Sequence, residues 1–272
     1  MRPAKIQSLF ASCRIGLVAA VAVASVGTAK AQIISLYHKH IVGYQGWFGC
    51  PSDPVQPGWR HWARTNASPT SGTLAIDLWP DVTELGPDEL CDTGLKLPSG
   101  RSAYLFSSEN PKTVLRHFRW MRENDIDGVA LQRFLQNAME PNTNERLLTV
   151  TRNVRIAAER TGVGFFIMYD ISGANAAMAA EAIVRDWKQL VVGQKILESP
   201  AYLRHRGKPV IGIWGLGLNN RPESVEQAMA IIRFFRDRDV GYNRWIMPIE
   251  QAERLRHEGV QFALARAHRL LR

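Results

Sequence analysis

From about residue 104 onward, apolar runs of strand length alternate with longer stretches whose apolar residues recur every three or four positions. Tyr104-Leu105-Phe106-Ser107 reads as a strand, and Pro111 opens a helix to about Asn124 with Val114, Leu115, Phe118 and Met121 on one face. The next cycle pairs a strand over 128–134 with a helix over about 144–161. A third pairs a strand over 164–170 with a helix over about 177–192, on which Ile183, Trp187 and Leu190 share a face. A fourth pairs a strand over 209–214 with a helix over about 224–238. Ahead of them, His40 to Phe48 reads as a short strand breaking into a glycine-rich turn. Continuous apolar strands bounded by amphipathic helices require a parallel sheet covered by helices, so the chain predicts an α/β fold. Counting the first strand gives about five units, too few to close an eight-stranded barrel.

Two regions break the rhythm. Residues 50–100 are rich in Pro, Gly, Ser and Thr, yet residues 47–79 hold four of the eight tryptophans, which argues for an ordered, functional excursion. After Val240, residues 241–272 carry six Arg, three Glu and no Lys. The span from Ile249 to Leu271 can be written as an amphipathic helix, either capping an open sheet or forming a divergent tail; we expect the tail. At the other end, Arg2, Lys5 and Arg14 precede the apolar run Ile15 to Val26 and the small-residue site Ala29-Lys30-Ala31. That pattern predicts a signal peptide over 1–31. A membrane anchor is the alternative, but the apolar run is shorter than the roughly 20 residues that span a bilayer. The expected organisation is signal peptide 1–31, an α/β domain over 32–240 and an Arg-rich helical tail over 241–272, with the mature protein secreted or periplasmic and not inserted in the membrane.

The formal charge of +9 is spread over helix faces and loops without a basic stripe, so no nucleic-acid partner is expected. Cys50 and Cys91 remain after signal removal. In an oxidising compartment they read as a disulfide worth roughly 2–4 kcal/mol, against the alternative of two buried thiols. His38, His40, His61 and His117 are scattered over unlike elements, so neither a metal nor another cofactor is expected.

In an alternating α/β protein the carboxyl ends of the strands gather ligand groups. Glu109, Gln132, Arg133, Tyr169, Asp170 and Trp214 stand at or just beyond such ends, with Asn219, Asn220 and Arg221 following the fourth strand. Arg133 and Asp170 can equally form an internal ion pair. Tyr44, Trp47, Trp62 and Trp79 are further binding candidates, because flat aromatic faces stack on sugar rings as readily as they fill a loop core. Asp77, Asp81, Glu84, Asp88, Glu89 and Asp92 read as solvated or helix-capping groups, with Asp77 set apart because Trp79 follows it.

Several motifs occur in order: Val42-Gly43-Tyr44-Gln45-Gly46-Trp47-Phe48, Trp59 with His61-Trp62, Asp77-Leu78-Trp79-Pro80-Asp81, His117-Phe118-Arg119-Trp120-Met121, Leu131-Gln132-Arg133-Phe134, Met168-Tyr169-Asp170 and Ile213-Trp214-Gly215-Leu216-Gly217. Together they resemble bacterial secreted relatives of glycoside hydrolase family 99, which includes endo-alpha-mannosidases, over about residues 40–240. The resemblance implies a (β/α)8 TIM-type barrel, here incomplete, acting on an oligosaccharide or polysaccharide. It further implies a late Glu-Trp-His-Glu motif carrying the catalytic carboxylates. Trp245 is flanked by Arg244 and Ile246, so no catalytic residue can be carried over. Three readings follow: a glycosidase relative left inactive by a truncated C-terminal part, a non-catalytic saccharide-binding protein, or an intact enzyme using Glu109 and Asp170.

Overall fold

The computed structural model describes residues 35–65, 67–174, 176–215, 225–236, 245–248 and 261–263. In chain order the elements are β1 (His40–Tyr44), β2 (Leu90–Lys96), β3 (Ser102–Phe106), α1 (Pro111–Glu123), β4 (Gly128–Phe134), α2 (Leu135–Met139), α3 (Pro141–Thr161), β5 (Gly164–Asp170) and α4 (Ala176–Lys188). They continue as β6 (Arg204–His205), β7 (Lys208–Trp214), α5 (Val225–Arg236), β8 (Trp245–Pro248) and β9 (Gln261–Ala263). Strands β9, β1, β4, β5, β7 and β8 lie side by side, all parallel, and the short β6 runs antiparallel to the start of β7. Among the described residues no pairing joins β8 to β9, so these strands form an open parallel sheet and not a closed barrel.

The central strands are apolar because both faces are covered. Val129 to Leu131 on β4 and Phe165 to Ile167 on β5 are buried throughout. They join Val114, Phe118 and Met121 of α1, Val154, Ala157 and Ala158 of α3, and Ile183 and Trp187 of α4 in one core. Local signals set the helix ends. The Asn110 side chain accepts from the Lys112 N–H at 2.9 Å ahead of Pro111, and Gly162 closes α3 at φ +75°.

Four differences from the sequence reading matter for function. The strand expected at 104–107 is not part of the parallel sheet; it is the return strand of a β2–β3 hairpin. Its residues Leu105 and Phe106 pack with Cys50, Trp59, Trp62 and Leu85 in a second core that orders the long excursion, and Cys50 and Cys91 are bridged. Where the tail is described, it contributes short parallel strands to both sheet edges, including Gln261–Ala263 inside the expected helix; the rest of that helix lies outside the described residues. Arg133 does not pair with Asp170. Side chains alternate across a strand, so Arg133 and Tyr169 point into the helical layer. There Arg133 donates to Asp186 of α4 (Nε at 3.0 Å) and to Thr151 of α3 (3.0 Å), and the Tyr169 hydroxyl donates to Asp186 at 2.6 Å. Glu89, expected to be solvated or capping, is buried and accepts from Arg116 at 2.7 Å.

The Arg133–Asp186 pair is fully desolvated, so removing one partner strands a charge in the core. Asp186→Ala is expected to cost about 3–5 kcal/mol in urea denaturation. Asp88→Ala, which breaks the exposed Lys112–Asp88 pair, should leave the midpoint unmoved.

Candidate functional site

The turn after β1 is built around two glycines that admit no side chain. Gly46 sits at φ +57°, and a Cβ there would meet Val150 of α3 at 2.5 Å. A Cβ on Gly49 would come within 2.3 Å of the Arg60 guanidinium. This close approach lets α3 and the excursion press on the turn from two sides and holds Trp47 between them. His61, itself at φ +59°, lies flat on one face of Trp47 (ring centroids 4.4 Å apart, 11° between planes). Phe134, at the end of β4, also stacks on Trp47, with ring centroids 5.6 Å apart and 12° between planes. The exposed outer part of the His61 ring lines a cleft of about 720 Å³ walled by the β1 turn, by residues 60–64 and 75–78 of the excursion, and by Asn137, Thr143 and Arg146.

Behind this wall lies a buried charge cluster. One Arg60 amino group donates to Asp53 at 3.0 Å and to Glu109 at 2.9 Å, and Asp53 also accepts from the Cys50 N–H at 2.8 Å. Arg146, 1% exposed, reaches in from α3 and donates to the Gly46 carbonyl at 3.3 Å. Burial, reinforced by the Asp53 charge, raises Glu109 to a pKa of about 7 despite the two arginines. Burial and the Arg60 charge lower Arg146 to about 10. Desolvation against the stack, then the Arg146 and Arg60 charges, lowers His61 to about 4, so its ring is neutral at physiological pH.

Apart from Arg133 and Tyr169, which bond Asp186 in the helical layer, the structure separates the expected site residues into three groups, the first of them aromatic. Trp47 lines the cleft but is half-buried in its stack with His61 and Phe134, and His61 is the more exposed ring. Trp62 cannot be a platform: it is fully buried, stacks on Phe48 and donates to the Phe106 carbonyl at 2.8 Å. Trp79 is half-buried and donates to the Tyr104 carbonyl, while the buried Tyr44 hydroxyl meets His117 Nδ1 at 3.1 Å. A second group comprises Gln132 and Asp170, joined by a 2.7 Å hydrogen bond on the sheet face opposite Arg133 and Tyr169, with Trp214 paired to Asp170 in register. None of these lines the cleft. Glu109 forms the third, tied to Arg60; among the described residues it shares no hydrogen-bond partner with Asp170. Asn219, Asn220 and Arg221 lie outside the described residues.

Sequence reading missed Asp53, Arg60, His61 as the presented ring, and Arg146. Only Arg146 left a usable trace: it sits four and eight residues before Val150 and Val154, on the apolar face of α3. A charge in that register is a sign of a partner or a ligand. Among the described residues, no group of three His, Cys, Asp or Glu side chains is placed to hold a metal ion.

No family model matches the chain, and no curated protein does. Two solved structures of the family 99 endo-alpha-mannosidase from Bacteroides thetaiotaomicron are distantly similar to it. One, in complex with bis-tris-propane, has 14% identity and a TM-score of 0.48 over 86% of this chain and 60% of its own. The other has 15% identity and a TM-score of 0.45 over 85% and 61%. The chain thus spans about three fifths of the length of the structures it resembles.

Arg60→Ala leaves Asp53 and Glu109 without their shared counter-charge, an expected loss of about 3–5 kcal/mol by urea denaturation at pH 7. Glu109 gives a pH signature. Its folded pKa of about 7 lies above the usual 4.5, so the folded state binds more protons between those values. The stability this contributes is complete below 4.5 and is lost as pH rises through 7. Wild type should therefore weaken relative to Glu109→Gln between pH 5 and pH 8, measured as paired urea titrations.

Proposed function

We propose that this is an extracytoplasmic saccharide-binding protein built on a (β/α)8-type scaffold related to family 99 glycoside hydrolases, and that the sugar lies in the cleft beside His61. The observation that carries this reading is the ring stack. A neutral imidazole backed by Trp47 and Phe134 offers a rigid aromatic surface at little entropic cost, and Gln45, Asn137 and Thr143 flank it with hydrogen-bonding groups. The motif series from Val42 to Gly217 supports the relationship. Secretion is supported by the signal-like residues 1–31 and by the Cys50–Cys91 bridge, which suits an oxidising compartment. No helix among the described residues is long and apolar enough to cross a membrane.

Binding is favoured over hydrolysis by the placement of the acids. Glycoside cleavage normally uses two carboxyl groups about 5–10 Å apart across the bond. Asp77 is the one carboxylate among the described residues that line the cleft, while Asp53 and Glu109 are engaged by Arg60 behind it. A glycosidase reading requires Glu109 to leave that pair.

Titration calorimetry against oligosaccharides, run beside a reducing-sugar assay, tests the proposal. Saccharide binding without release of reducing ends is expected, and His61→Ala should weaken it about five- to tenfold, equivalent to roughly 1 kcal/mol of lost stacking. Sustained hydrolysis abolished by Glu109→Gln would establish the enzyme reading instead.

A further inference from the structure

Buried polar atoms in folded proteins nearly always have partners, and those that do not need a reason. Among the described residues, six buried side-chain nitrogens and oxygens of this cleft and the cluster directly behind it have no hydrogen-bond partner. Four are donors: Trp47 Nε1, Arg60 Nε and Nη1, and Arg146 Nε. Two are acceptors, Gln56 Oε1 and Glu109 Oε2.

The charges along the cleft have the same bias. Arg60, Arg64 and Arg146 line it against the single acid Asp77. Arg60 has its carboxylates behind it, whereas Arg146 makes no ion pair among the described residues although it is almost wholly buried. A guanidinium taken out of water with no carboxylate in direct contact is costly: Asp53 and Glu109 act on Arg146 only through space and are already bonded to Arg60, and Arg146 stands at the back of an open, aromatic-walled cleft. We infer that the ligand is an acidic saccharide, whose carboxylate or sulfate oxygens meet the unpartnered donors of the Arg146–Arg60 wall while a sugar ring lies on His61. Glu109 is consistent with this charge balance: held near a pKa of about 7, it carries only part of a negative charge at neutral pH, leaving the guanidiniums in excess. Arginine forks suit planar or tetrahedral oxyanions better than neutral hydroxyls.

This inference rests on the saccharide reading above, and its test separates the two. The full-length protein is titrated with polygalacturonate, alginate and chondroitin sulfate oligosaccharides and with neutral mannan, xylan and arabinan oligosaccharides. Binding confined to anionic glycans is expected. It should weaken severalfold between 50 and 500 mM salt, as the Debye length shortens from about 14 Å to about 4 Å. Arg146→Met should weaken it about ten- to a hundredfold, the effect of removing a hydrogen bond to a charged group. Because that substitution is buried, Arg146→Lys, which keeps the charge but loses the fork, serves as its folding control and should retain part of the affinity, with both variants checked by circular dichroism. Binding of neutral glycans alone overturns the acidic-ligand inference and leaves the saccharide reading intact, whereas binding of none overturns both. Anionic binding unaffected by either Arg146 variant marks attachment to the basic surface at large and also overturns the inference.

Discussion

Much of this structure depends on the Arg60 clasp. Its guanidinium joins Asp53 and Glu109, 7 and 49 residues away along the chain, and its bulk fills the space that a side chain on Gly49 would occupy. Asp53 in turn holds the backbone of Cys50, which is bridged to Cys91 on the hairpin. One side chain thus connects the β1 turn, the excursion and the entry to α1. A buried charge with two carboxylate partners tolerates few alternative arrangements, because each displaced partner would be left desolvated.

Around that clasp the protein divides its apolar residues between two cores. The larger lies between the parallel sheet and its helices, and the smaller lies beneath the excursion, filled by Trp59, Trp62 and Phe106. The second core explains how about fifty residues without regular helices hold a defined surface. It also gives Trp59 and Trp62 a structural task, leaving His61 as an exposed ring on the cleft beside Trp47.

The resulting cleft combines a neutral aromatic surface with a wall of donors. Stacking gives orientation with modest energy, and guanidiniums in a low-dielectric wall give selectivity for charge. The side of the sheet carrying Gln132 and Asp170 is a separate polar place, joined by its own hydrogen bond, and takes no part in the cleft.

Local pattern alone determined the parallel strands at 128–134, 164–170 and 209–214 and the helices between them, because unbroken apolar runs and three-to-four-residue periodicity each suit one backbone geometry. It also marked the excursion as ordered, from tryptophans too costly to leave in water. Alternation put Arg133 opposite Gln132 and Tyr169 opposite Asp170 within their own strands, but only the register of β4 on β5 decided that Arg133 and Tyr169 share a face and that Arg133 does not meet Asp170. The sequence could not tell that Ser102–Phe106 pairs with Leu90–Lys96 outside the main sheet, since a strand carries no mark of its partner. Nor could it decide which aromatic is exposed or which carboxylate meets which arginine. Those outcomes depend on contacts spanning from 7 to about 100 residues, Arg60 to Asp53 and Arg146 to Gly46 among them, and are fixed only when the cores close.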